Sequence, residues 1–174
     1  MFPVLFFQFH NQFHSLTKLV LPMSSLQNVI IVGAGGKLGP HILRAFDSDS
    51  HFKVSILSRA GSASTFPSHL KVHIVGDDYP QADLLEAFKG QDVVISTIAT
   101  ANAAEQKKLI DASVQTGVKR FVPSEFGCDV RNENGFKVIP QYFGGKVETV
   151  EYLKSKESEG LTWTTFVTGS FFEL

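Results

Sequence analysis

Seven residues, Gly33-Ala34-Gly35-Gly36-Lys37-Leu38-Gly39, carry the spacing with the clearest chemical meaning. They follow a short apolar run, Asn28 to Val32, and lead into apolar residues at helical spacing. A strand that turns through glycines into a helix brings backbone N–H groups and the positive end of a helix dipole to one point. That arrangement suits a diphosphate. The strict G-x-G-x-x-G spacing is broken by Leu38, and glycines 33, 36 and 39 read instead as G-x-x-G-x-x-G. A glycine motif gains weight only in the strand–turn–helix context, and here the context is met. Gly33, Gly35, Gly36, Lys37, Leu38 and Gly39 are therefore the first candidate binding residues.

Leu57-Ser58-Arg59-Ala60 then bears on which dinucleotide fits. A ribose 2′-hydroxyl is usually held by an acid about 20 residues past the loop. No acid stands there, and Arg59 could pair with a 2′-phosphate, with Lys37 in support. This favours NADP over NAD, the alternative being an arginine in solvent. Ser96-Thr97-Ile98-Ala99 ends another strand. Its small and apolar residues Thr97, Ile98 and Ala99 would let a ribose and nicotinamide lie against the backbone, or would simply pack the strand end.

Tyr142 and Lys146 are four residues apart and share a face on a helix. A lysine beside a nicotinamide can hold the ribose, polarise a carbonyl or move a proton. Spacing alone would leave Lys146 a solvated helix lysine, and Gly144 and Gly145 weaken a helix at this point. Cys128 is the lone cysteine and the histidines show no metal-ligand spacing, so neither a disulfide framework nor a zinc module is expected.

These residues need elements to hold them. The pattern predicts strands over 28–32, 52–57, 70–75, 93–96, 118–122 and 161–167. Helices are predicted over 38–46, 81–88, 103–116 and 145–159, the last two stopped by Gly117 and Gly160. Val130 to Gln141 reads as a long polar loop. Strands alternating with helices imply an α/β fold, a doubly wound parallel sheet that binds ligands at the strand carboxyl ends.

A length of 174 residues suits one domain or slightly more. Sixteen basic against 17 acidic side chains give a net charge of −1, so nothing draws the chain to nucleic acid or an acidic membrane. No apolar run approaches the roughly 18 residues of a membrane span. The expected partner is a small molecule, with neither nucleic acid nor membrane, and the expected compartment is the cytoplasm. Residues 1–23 differ from the rest, with five phenylalanines, no acid and a single base, Lys18. They lack the unbroken apolar core of a secretory signal and the arginines of a mitochondrial one. They read as a disordered or spurious leader, and residues 24–174 as the domain.

The glycine loop, the stretch Gly117-Val118-Lys119-Arg120-Phe121-Val122-Pro123-Ser124-Glu125-Phe126-Gly127, and Phe143-Gly144-Gly145-Lys146 together resemble the NmrA-like / isoflavone-reductase-like family. Its members are atypical short-chain dehydrogenases/reductases, and Trp163-Thr164-Thr165 with Thr168-Gly169-Ser170-Phe171-Phe172 is similar to its fungal branch. The resemblance implies a Rossmann domain binding NADP(H), with the loop on the diphosphate and Arg59 on the 2′-phosphate. It implies that Lys146, in its Phe-x-x-Lys setting, is catalytic or touches the cofactor. It also places Gln106 among the cofactor-binding residues and gives Tyr142 no defined role. Family members are longer and complete a substrate pocket with a carboxyl-terminal part, most of which this sequence lacks. The implied activity is an NADPH-dependent reductase of a small aromatic or carbonyl compound. The alternatives are a non-catalytic NADP(H)-binding redox sensor and an inactive fragment that only binds dinucleotide.

Overall fold

The structure is a computed structural model that describes residues 26–99, 104–129, 137, 140–169 and 171, apart from the side chains of 140–143. The expected leader, residues 1–23, lies outside the described residues, as does most of the expected loop over 130–141.

Five consecutive strand-forming residues, Asn28–Val32 (β1), take the centre of a parallel sheet. β1 has β2 (Lys53–Arg59) on one side and β4 (Val93–Ser96) on the other, so Ile31 lies beside both Ile56 and Ile95. β3 (Lys71–Val75), β5 (Arg120–Val122) and β6 (Thr162–Trp163) complete the order β3-β2-β1-β4-β5-β6. The order reverses at β1 and β4, and the crevice there is the ligand site of a doubly wound sheet.

Side chains alternate across a strand, and β1 shows why its run is apolar throughout. Ile30 and Val32 join the core under α2 (Gln81–Phe88), α3 (Gln106–Gln115) and the helix at Pro140–Ser155, here α4. Val29 and Ile31 face the other way, toward Leu43 of α1 (Gly39–Asp47). Phe88, Leu109, Ile110, Phe121 and Leu153 have no exposed surface. Burial of each such side chain contributes about 1.5–3 kcal/mol.

The amino ends of the strands are tied by Asp92. Its Oδ2 accepts the Gln27 and Asn28 backbone N–H groups at 3.1 and 2.9 Å and the Asn28 amide at 2.9 Å. Its Oδ1 accepts the Lys119 ammonium at 2.8 Å. Burial alone would raise this carboxyl, but the four donors outweigh it and hold the pKa down to about 2.

The final helix differs from expectation. It begins at Pro140, five residues before the expected Gly145, and runs through Gly144 and Gly145 without a break. Proline near a helix start removes a donor that needs no partner, which offsets the two glycines. It ends at Ser155, and a 3₁₀ turn at Glu157–Glu159 closes on Gly160 at φ 90°. β6 is shorter than expected, and Val167 returns only as a bridge to Gly127.

Candidate active-site cleft

The turn after β1 depends on glycine at two places. Gly33 has φ +82°, and a Cβ there would lie 3.0 Å from the Thr97 carbonyl carbon. A Cβ on Gly39 would lie 2.3 Å from the Gly33 carbonyl oxygen, so glycine is what lets α1 begin directly beneath the loop. The Gly36 N–H donates to the Gly33 carbonyl at 2.9 Å and folds the loop back. The first turn of α1 has no side-chain cap and no acid. Pro40 carries no N–H and the His41 N–H donates to the Leu38 carbonyl at 3.1 Å, so what α1 offers an anion is its dipole, beside the N–H groups of the loop that precedes it.

The loop floors a cleft with two connected parts. The first, about 230 Å³, is lined by Gly33, Gly35, Gly36, Arg59, Ser62, Ser64, Phe66 and Tyr79. The second, about 420 Å³, is lined by Gly36, Lys37, Leu38, Ser124, Glu125 and Lys146. Gly36, Thr97, Ile98 and Ala99 border both. Thr97 is fixed there by its N–H and hydroxyl, which donate to the Val32 carbonyl at 2.8 and 2.9 Å.

The structure thus gathers the glycine loop, Arg59, Thr97, Ile98, Ala99 and Lys146 around one cleft. Lys37, expected to support Arg59 at a 2′-phosphate, borders the other part of the cleft. It lines the part that holds Lys146, directly after Gly36, whose N–H donates back to the Gly33 carbonyl. Gly39 is buried beneath the loop, where its role is packing.

Gln106 borders neither part. It is 1% exposed, and its carbonyl oxygen accepts the Ser124 N–H at 2.7 Å while its amide donates to the Thr149 hydroxyl at 3.5 Å. Thr149 donates on to the Gly145 carbonyl at 2.8 Å, and Ser124 to the Ile98 carbonyl at 2.7 Å. This network joins the tips of β4 and β5 to α4 one residue before Lys146.

Lys146 is 3% exposed and donates to the backbone carbonyl of Glu125. Burial lowers its pKa from the usual lysine value, while Glu125 and Cys128 oppose that change. Glu125 is 4% exposed. Burial pushes its carboxyl up to about 7, with Lys146 pulling the other way. The side chain of Tyr142, the other half of the expected pair, lies outside the described residues.

Two residues here escaped the sequence reading. Glu125 stood in a segment noted only for its resemblance, and nothing local signals its burial. Tyr79 is 5% exposed and takes φ 55° in the loop before Pro80. Left-handed backbone outside glycine is uncommon, and here it accompanies a ring at the wall of the Arg59 part.

Among the described residues, no group of three or more His, Cys, Asp and Glu could hold a metal ion, and no helix is long and apolar enough to cross a membrane. A further groove, about 610 Å³, lies on the α1 face between Val29, Phe46, Val93, Val122, Phe126 and Phe166. It is almost wholly apolar and separate from the glycine loop.

A parallel sheet with this order, a glycine turn after β1 and a cleft at the β1/β4 crevice define a Rossmann-type domain. The chain belongs to the NmrA-like family, whose sequence model matches residues 25–173. It is 58% identical over 146 residues to the oxidoreductase aprR of Aspergillus flavus, covering 84% of this chain and 49% of that protein. It is 32% identical over 157 residues to the isoflavone reductase homolog IRL of Zea mays, covering 85% and 50%. The solved structure of AtPrR2 with NADP+ and (+)pinoresinol superposes with a TM-score of 0.69 at 25% identity, covering 81% of this chain and 49% of that one. The chain spans about half the length of the curated relatives it matches.

Proposed function

We propose that this chain forms the NADP(H)-binding part of an NADPH-dependent reductase acting on a small aromatic or carbonyl compound. The observation that carries this reading is the shape of the cleft. An open helix N-terminus and glycine turn lie at its centre, Arg59 at one end and a buried Lys146 at the other. A relative that is an oxidoreductase and a structural neighbour holding NADP+ support it.

In this reading Gly33, Gly35 and Gly36, with the N–H group of Leu38, hold the diphosphate, and Gly39 lets the helix start close beneath it. Arg59 pairs with the 2′-phosphate, and a guanidinium suits that group because it can donate two parallel hydrogen bonds. Lys37 adds positive charge on the Lys146 side of the diphosphate. Thr97, Ile98 and Ala99 form the wall for the ribose and nicotinamide. When bound, the reduced cofactor supplies hydride. Lys146 either holds the ribose or gives a proton to the reduced substrate, for which a lowered lysine pKa is suited. Gln106 acts on the cofactor indirectly, by holding the β5 tip and α4 in register. The reading locates the protein in the cytoplasm.

Calorimetric titration of the chain with NADPH and NADH tests this. Tighter binding of NADPH, lost in Arg59→Ala, is the expected result. No affinity for either nucleotide would overturn the reading. Binding with no turnover, in a chain of the relatives' full length offered aromatic ketones and enones, would favour the sensor over the reductase.

A further inference from the structure

We propose that Glu125 is the proton-supplying partner of Lys146, a positioning residue that acts through the amine and links the cleft to a second cavity behind it. The proposal rests on the reading of Lys146 as the proton-donating amine.

Three observations place Glu125 in this role. Its own backbone carbonyl accepts a hydrogen bond from the Lys146 ammonium, so the amine is fixed beside this residue. Its carboxyl is buried, and Oε1 has no hydrogen-bond partner among the described residues. A buried carboxylate oxygen without a donor is costly, whereas a carboxylic acid there carries no charge to desolvate. Finally, Glu125 borders both the Lys146 part of the cleft and a separate cavity of about 640 Å³, lined also by Asp129, Glu151, Lys154 and Trp163. No other described residue lines both. A pKa near 7 for this carboxyl is consistent with a group that changes charge at working pH.

The proton balance is simple. A substrate carbonyl that has accepted hydride needs one proton. Lys146 gives it, breaking N–H and forming O–H, and is left as a neutral amine. The Glu125 carboxyl then returns a proton to that amine and becomes a carboxylate. Water in the second cavity restores the acid, so one solvent proton is consumed per turnover and no electrons move in these steps. Among the described residues, the ionisable groups around the pair are Cys128 and Asp129 after β5, Lys37 on the glycine loop, and Glu151 and Lys154 on α4.

Competitive acetylation of Lys146 with acetic anhydride, read by peptide mass spectrometry, tests the coupling on the 174-residue chain without turnover. A Cys128→Ser background removes the neighbouring exposed thiol, which the anhydride would also acetylate. At about pH 5.5 Glu125 is protonated, and Glu125→Gln is expected to leave the labelling rate unchanged. At about pH 8.5 the carboxylate holds Lys146 as ammonium, and Glu125→Gln is expected to raise labelling about 3- to 10-fold. A ratio that stays constant with pH would show a merely structural residue and overturn the proposal. Infrared difference spectra of the unsubstituted chain between about pH 6 and about pH 8 provide a second measurement. They are expected to show loss of one protonated carboxyl, and its absence would also overturn the proposal. Turnover by Lys146→Ala, in a chain of the relatives' length, separates the two readings. Full activity there would overturn the role of Lys146 and the proton step with it. An inactive Lys146→Ala beside a pH-independent labelling ratio would overturn this proposal alone.

Discussion

Among the described residues Arg59 is the one cation that borders its part of the cleft, and its consequence can be isolated. The other basic residue of the motif region, Lys37, borders the opposite part. No second cation of the motif thus compensates for loss of the guanidinium. Arg59→Ala is expected to weaken NADPH about 10-fold, roughly 1.4 kcal/mol, and to leave NADH within about 2-fold. Titration calorimetry with both nucleotides reads this directly. Gln106 makes the opposite case, a residue whose effect is stability and alignment. Gln106→Leu leaves the part-buried Ser124 N–H without its acceptor and the Thr149 hydroxyl with the Gly145 carbonyl alone. It is expected to cost about 1–3 kcal/mol in urea unfolding, and to weaken turnover more than cofactor binding.

At the scale of elements, the β1–α1 junction is the most constrained. α1 can start directly beneath the loop only because residue 39 has no side chain. Gly39→Ala would press a methyl against the Gly33 carbonyl, which is backbone and cannot swing aside. A loss of about 1–3 kcal/mol in thermal unfolding is expected, with loss of nucleotide binding. Helix α4 shows the limit of propensity. Gly144 and Gly145 are weak helix formers, yet the helix passes through them, because Val150 and Leu153 further along are buried.

Over the whole molecule, Asp92 ties β1 and β4 to the residue before β5. Its pKa is depressed in the fold, so its contribution is present above the unfolded value near 3.8 and disappears as pH falls toward about 2. Acid unfolding is expected to show a loss on the order of 1 kcal/mol across that window, screening included, which Asp92→Asn abolishes. The apolar groove on the α1 face is the other global feature. Phe126 and Phe166 stack there with ring centroids 5.9 Å apart, and Phe166 is 50% exposed. Phe166→Ser is expected to reduce binding of a hydrophobic dye and self-association in light scattering.

The sequence by itself determined the alternation of strands and helices, the glycine turn and the arginine at the tip of β2. Each of these is local: periodicity, φ > 0 and a helix start are properties of neighbouring residues. Helix α4 was misplaced at its start because the polar stretch before Gly145 gave no helical stripe. Its extension to Pro140 depends on contacts made further along. Only the tertiary structure decided that Lys37 and Arg59 part company, that Gln106 works as a clamp, and that Glu125 is buried beside Lys146. Desolvation, and with it the charge of a carboxyl or an amine, is set by what lies around a side chain in space. Gln106 reaches Ser124, and Lys146 reaches Glu125, only after α3, the β5 tip and α4 have packed.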